Sequence, residues 1–288
     1  MRAPYSEGVT FPPADSPRGD STPAAPSPTR FASLTYVPPG NVGWGLPDAA
    51  GGLVVFLFTI GIVSVAAQFV PDSARDAAGF VLNLIGYGVL AGTAILASRR
   101  RGIGTLAADF GLRFRWVDLL LGLGIGVVAK LLVIAYSALA KVLVGYEPSG
   151  SNLTLSPDTL WLVLNGVIFT AIVAPIVEEL YMRGLLLRSI RNAILRGWLG
   201  RRPQPAERPV QITAAVLAVA LSALVFMLLH LWQSTDPALL IVLGLSTLTL
   251  GIFNGIAAIW TGRLGAGIIA HILFNGSSVL ILLASGPS

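Results

Sequence analysis

Seven long apolar runs, each close to the length that crosses a lipid bilayer, leave this chain few ways to fold. They lie near 50–70, 78–97, 117–144, 159–180, 210–231, 238–260 and 266–285. About 20 apolar residues in a helix span the hydrocarbon core. Inside lipid the backbone groups must bond within their own segment, so runs of this length are read as helices. The expected fold is all-α, a polytopic transmembrane helical bundle of about seven spans. Composition agrees: 11% of the 288 residues are charged, against about 25% for a soluble domain, and the mean hydropathy is +0.77. The net charge of +5 comes from arginines at the ends of apolar runs. There they face anionic headgroups, so no nucleic-acid partner is expected. With no cysteine, a disulfide framework, a thiol nucleophile and a Cys-based metal site are all excluded.

Residues 1–48 are a different material. The stretch FPPADSPRGDSTPAAPSPTR is rich in Pro, Ser and Ala and holds too little apolar surface to offset its ordering entropy, so a disordered cytoplasmic tail is expected. The start also lacks the basic and apolar regions of a signal peptide. Residues 49–150 follow as amino-terminal spans, and 151–288 as a carboxyl-terminal helical unit. Arg99, Arg100, Arg101, Arg113 and Arg115 fall in one connection, and Arg183, Arg188, Arg191, Arg196, Arg201, Arg202 and Arg208 in another. The positive-inside rule then gives a multi-pass cell-membrane protein with the amino terminus in the cytoplasm and, with seven spans, the carboxyl terminus outside. LLLRSIRNAILRGWL places arginines at helical spacing among apolar residues, which predicts an interfacial amphipathic helix. Gly122, Gly124 and Gly126 read as close-packing positions of the third span.

Ionisable groups inside apolar spans are costly and usually functional. Glu178 and Glu179 end the fourth run. Successive helical residues point about 100° apart, so the two cannot share one face. Glu179 has Arg183 at i+4, the favourable orientation for a helical ion pair. Glu178 has Met182 there and no local cation, which leaves it available as a general base. Pro175 has no N–H, which deprives the Ala171 carbonyl of its helical donor. The only two histidines also lie in apolar stretches. His230 has Phe226 four residues before it, and His271 has Asn275 four residues after it. Each alone reads as interhelical hydrogen-bond glue; with a free Glu they make a sufficient kit for hydrolysis. There is no His-Glu-x-x-His helix, no serine in a Gly-x-Ser-Gly context, and no pair of aspartates in the spans for an aspartyl dyad.

Glu178-Glu179 with Arg183, then Phe226 with His230, then His271 with Asn275, resemble in order the Glu-Glu-x-x-x-Arg, Phe-x-x-x-His and His-x-x-x-Asn/Asp signatures of the CAAX-processing and bacteriocin-processing (CPBP, or Abi) intramembrane proteases. The resemblance covers about residues 159–285, making 151–288 the expected catalytic core. It implies a peptidase acting on a membrane-associated protein or peptide of CAAX or other type. Glu178 and His230 would activate water, and His271 and Asn275 would hold the oxyanion. Glu179, Arg183 and Phe226 would support them. The cofactor stays open: zinc held by Glu178, His230 and His271 is possible, and a metal-free glutamate mechanism is slightly preferred. The alternative is a non-catalytic scaffold or bacteriocin self-immunity protein. Lys130, mid-span in the third run, is left to an ion pair or a snorkelling side chain, or else to a transport path. Counting from the basic loops puts His230 roughly 30 Å deeper than Glu178 and His271, so the bundle must bring them together in a way that counting does not supply. Lipid and a peptide substrate are the expected partners, and the oligomeric state is open.

Overall fold

The computed structural model describes residues 42–148, 153, 155–197 and 206–285, and among them there is no strand. Seven long helices form the bundle: α1 (Leu46–Ala67), α2 (Arg75–Arg101), α3 (Trp116–Val144), α4 (Thr159–Arg196), α5 (Arg208–Leu228), α6 (Pro237–Thr261) and α7 (Gly265–Ser285). All seven are long and apolar enough to cross a membrane. Their outward faces stay apolar, with Phe58, Leu120, Ile134 and Val142 exposed, as expected where lipid replaces water around the fold.

The core sits where α4 meets α1, α2 and α5. Tyr181, Met182, Leu185 and Leu187 of α4 pack there with Ala49, Leu90 and Ala218. The Tyr181 hydroxyl donates to the Ala49 carbonyl. A second contact pairs α3 with α7. A Cβ at Gly122 would stand 2.7 Å from the Ala266 carbonyl, and one at Gly126 would stand 2.8 Å from Leu273. Those two glycines, four apart on one helix face, let the backbones approach. Gly124 points elsewhere and has nothing within 4 Å, so the close-packing expectation holds for two of the three.

Buried residues occur ahead of the expected boundary at 48. Val42 and Trp44 are buried in the core. The Trp44 indole donates to Asp109 at 2.9 Å and packs edge-on against Phe110, 5.1 Å between centroids. Asp109 also accepts from the Ser98 hydroxyl at 2.7 Å. Residues 1–41 of the expected tail lie outside the described residues.

The fourth helix departs most from expectation. It runs 38 residues without a break, where the sequence suggested a span ending near 180 followed by a separate surface helix. Leu187–Arg196 is the last quarter of α4, and its faces are occupied rather than solvated. Leu187 and Ile190 pack with Ala215 and Ala218 of α5, Leu195 packs with Ala214, and Arg188, Ser189, Arg191 and Asn192 are buried. The amphipathic pattern was real, and a neighbouring helix covers it.

This length also resolves the depth problem. Leu187 and Val219 meet at Gly255 of α6. From that level Glu178 lies nine residues and His230 eleven residues toward the same end, about 14 and 16 Å. The first half of α5 therefore runs beside the extension of α4, and both chemical residues reach one depth.

Candidate active site

Glu178 and Glu179 occupy a short α-helical stretch, Ala174–Glu179, between two stretches of wider i→i+5 bonding at Leu162–Val173 and Leu180–Leu186. Such insertions are rare and often mark functional sites. Pro175 explains one junction. The Ala174 N–H bonds to the Phe169 carbonyl in the i→i+5 register, so the next carbonyl, Thr170, would face the proline nitrogen, which has no hydrogen. Asn275 of α7 supplies the missing donor, its Nδ2 standing 3.1 Å from the Thr170 oxygen. The carbonyl that loses its partner is thus Thr170, one residue before the Ala171 singled out from sequence, and a residue expected at the oxyanion is also a backbone clamp.

The adjacent carboxylates do not share a helix face, yet both reach His271. Glu179 Oε1 lies 3.1 Å from Nδ1, and Glu178 Oε2 lies 3.6 Å from Nε2. Glu179 is fully buried and also meets Arg183 at 3.1 Å and the Asn254 amide at 3.0 Å. The amide of Asn254 further donates to the Gly267 carbonyl at 3.1 Å, tying α6 to α7 beneath the site. A Cβ at Gly267 would stand 2.9 Å from Glu179 Oε2, so glycine is what lets α7 approach the carboxylate.

Glu178 is not free of partners. The Tyr87 hydroxyl of α2 donates to its Oε1 at 2.6 Å, and the Tyr87 ring packs edge-on against Phe169, 5.0 Å between centroids. Sequence reading missed Tyr87 and Asn254. Asn254 carried a signal, an amide in an apolar span. A tyrosine in such a span carries none, because it packs well as an aromatic.

His230 follows α5, and its Nδ1 lies 2.7 Å from the Phe226 carbonyl. A carbonyl only accepts, so Nδ1 holds the hydrogen and Nε2 of the neutral ring keeps its lone pair. Phe226 is a wedge between the two imidazoles, 4.5 Å from the His230 ring and 5.5 Å from that of His271, with the Arg183 guanidinium 4.4 Å over its face. A cavity of about 520 Å³ is lined by Tyr87, Glu178, His230, His271 and Asn275, with Lys130 and Ser278 also on its wall. Among the described residues no three His, Asp, Glu or Cys side chains gather closely enough to hold a metal ion.

Arg263, in the turn between α6 and α7, donates to the Asp118 carboxylate at 2.6 and 2.9 Å, and this bonding raises the pKa of its guanidinium above the ordinary value. This bidentate pair fastens the α6–α7 turn to the start of α3.

Two comparisons with known proteins meet this geometry. Residues 159–277 match the family described as type II CAAX prenyl endopeptidase Rce1-like. This segment, which holds all three motifs, is similar to that family of membrane proteases. It is similar to the membrane-embedded CAAX protease MroQ of Staphylococcus aureus (strain USA300), 27% identical over 158 residues. That alignment covers 53% of this chain and 55% of the relative, so the chain spans about half the length of the curated protein it matches. No solved structure matches. Tyr87 and Lys130 both lie ahead of the family match.

Proposed function

We propose that the chain is an intramembrane endopeptidase that hydrolyses a peptide bond of a membrane-associated protein, of CAAX or other type. The observation that carries this reading is the pairing of Glu178 with the Nε2 edge of His271, 3.6 Å apart, on the wall of a cavity that His230 also lines. Water held between Glu178 and the His230 Nε2 lone pair gives its proton to the carboxylate while its oxygen bonds to the substrate carbonyl carbon. His271, its Nδ1–H on Glu179, donates from Nε2 in the doubly protonated form to the developing oxyanion, together with the second N–H of Asn275. Donors of this kind are worth about 3 kcal/mol each in a dry site. The tetrahedral intermediate then breaks its C–N bond, and the proton on Glu178 passes to the leaving nitrogen. This route uses protons alone and no metal. We place the arginine-rich ends of the helices in the cytoplasm, as the distribution of charge favours.

The test compares protein termini in membranes from cells making the wild-type chain or Glu178→Gln, by mass spectrometry. New termini are expected with the wild type alone, and their yield should survive chelation of divalent metal in isolated membranes. General-base catalysis contributes roughly 10²–10⁴-fold, so a loss below tenfold in Glu178→Gln would count against the carboxylate. Identical termini, with both proteins folded and abundant, would move the reading to a non-catalytic scaffold or immunity role.

A further inference from the structure

A second cavity, of about 390 Å³, shares no lining residue with the first. Three elements build it: the stretch leading into α3 supplies Arg113 and Arg115, α4 supplies Arg188, and the α6–α7 turn supplies Arg263. Gly111 makes the arrangement possible. Its backbone takes the left-handed conformation, φ +72°, and a Cβ there would strike both the Arg188 guanidinium and the Gly262 carbonyl. With no Cβ in the way, Arg188 donates to that carbonyl at 3.0 Å and stays buried. The Gly111 carbonyl accepts from the Leu264 N–H at 2.9 Å, which joins the loop to the turn.

The charge on this wall is unbalanced. Asp118 pairs with Arg263. Arg113 and Arg115 are exposed, and among the described residues neither has a carboxylate within ion-pair distance. Two guanidiniums therefore line a concave site without a fixed counter-charge. A guanidinium presents paired N–H donors that match the oxygens of a phosphate.

The source of the phosphate is legible on α3. Phe114 and Trp116 are exposed, their rings 6.0 Å apart, and Phe114 is on the cavity wall. Aromatic side chains of this kind sit at the headgroup level of a bilayer. From Trp116 an exposed apolar stripe, Leu120, Leu123 and Val127, runs along the helix at spacings of four and three residues. Acyl chains laid on that stripe bring their headgroup to the arginines. Basic pockets between spanning helices hold such headgroups.

We propose that this cavity binds the phosphate of an anionic phospholipid through Arg113 and Arg115, with Arg188 and Arg263 completing its wall. The site is independent of any reaction in the central cavity. It draws together the start of α3, a point on α4 ten residues past Glu178, and a turn eight residues before His271. The bound lipid thus braces the elements that carry those two residues.

The purified full chain in neutral detergent is titrated with phosphatidylglycerol, phosphatidylcholine or inorganic phosphate while thermal unfolding is followed. Phosphatidylglycerol is expected to raise the unfolding temperature saturably, by about 5 °C at a hundredfold excess over its dissociation constant. The other two should leave it unchanged. Each basic group near an anionic lipid adds about fivefold in affinity, so changing Arg113→Gln and Arg115→Gln together should weaken binding roughly twenty-five-fold. Changing Arg99→Gln and Arg100→Gln together, exposed residues at the end of α2 that do not line the cavity, should leave binding as it was. An equal weakening by that second pair would reduce the effect to diffuse surface charge and overturn the assignment. Equal shifts with phosphatidylcholine would also overturn it, and an equal shift with inorganic phosphate would replace the lipid with the free anion. Should the Arg113 and Arg115 variant fail to fold, native mass spectrometry of the wild type decides. One phosphatidylglycerol retained per chain supports the site; none, or phosphatidylcholine in equal amount, overturns it.

Discussion

Glu178 and Glu179 are neighbours in sequence and opposites in surroundings. Glu179 is wholly buried with Arg183, His271 and Asn254 around it, whereas Glu178 sits on the cavity wall with one oxygen on Tyr87. Removing one member of a buried charge pair leaves the other uncompensated, at a cost of about 3–5 kcal/mol. Glu179→Gln is therefore expected to lower the unfolding temperature in detergent markedly, and Glu178→Gln to leave it within a few degrees; equal shifts would contradict this division. Tyr87 acts through Glu178 and is a positioning residue. Tyr87→Phe should reduce kcat roughly tenfold with KM near that of the wild type, the cost of losing one orienting hydrogen bond. An unchanged kcat would remove the phenol from the site. The motif glutamates and histidines were legible in the sequence because charge stands out in apolar runs. Tyr87 was not, because its link to Glu178 is a contact across 91 residues that no local spacing records.

At the scale of the element, the unusual feature is how α4 is built around Pro175. The proline leaves the Thr170 carbonyl without a helical donor, and Asn275 provides one. Asn275→Ala should then cost stability as well as rate, about 1 kcal/mol for a part-buried acceptor left unpaired. Adding Pro175→Ala to that variant restores a backbone N–H, so the double variant should regain the lost thermal stability while its cleavage stays low. Recovery of both would reduce Asn275 to a structural clamp; recovery of neither would mean that the Thr170 contact carries little. The seven spans were legible because a run near 20 residues long is a strong signal. The true length of α4 was not, since arginines after 183 usually mark a membrane surface and here Arg188 and Arg191 are buried beside α5.

For the whole molecule, the amino-terminal helices do more than fill space. α2 brings Tyr87 to the site, α3 brings Lys130, and Trp44 locks the start of the bundle to Asp109 and Phe110. Truncating a buried aromatic costs about 3–5 kcal/mol. Trp44→Ala should therefore lower the yield of folded protein and its unfolding temperature, an effect read by size-exclusion and thermal unfolding in detergent. A variant as stable as the wild type would show that the anchor is dispensable.

The pairing of Glu179 with Arg183 on a single helix bears on how the chain enters the membrane. Asn254 and His271 belong to α6 and α7, which leave the ribosome later, so α4 must insert before those partners exist. A single charge at the centre of an inserting helix costs about 2.5–3.5 kcal/mol. Because its counter-charge travels with it one turn away, this carboxylate crosses into lipid as half of a neutral unit. Biogenesis would then constrain position 183 even in a chain that had abandoned catalysis.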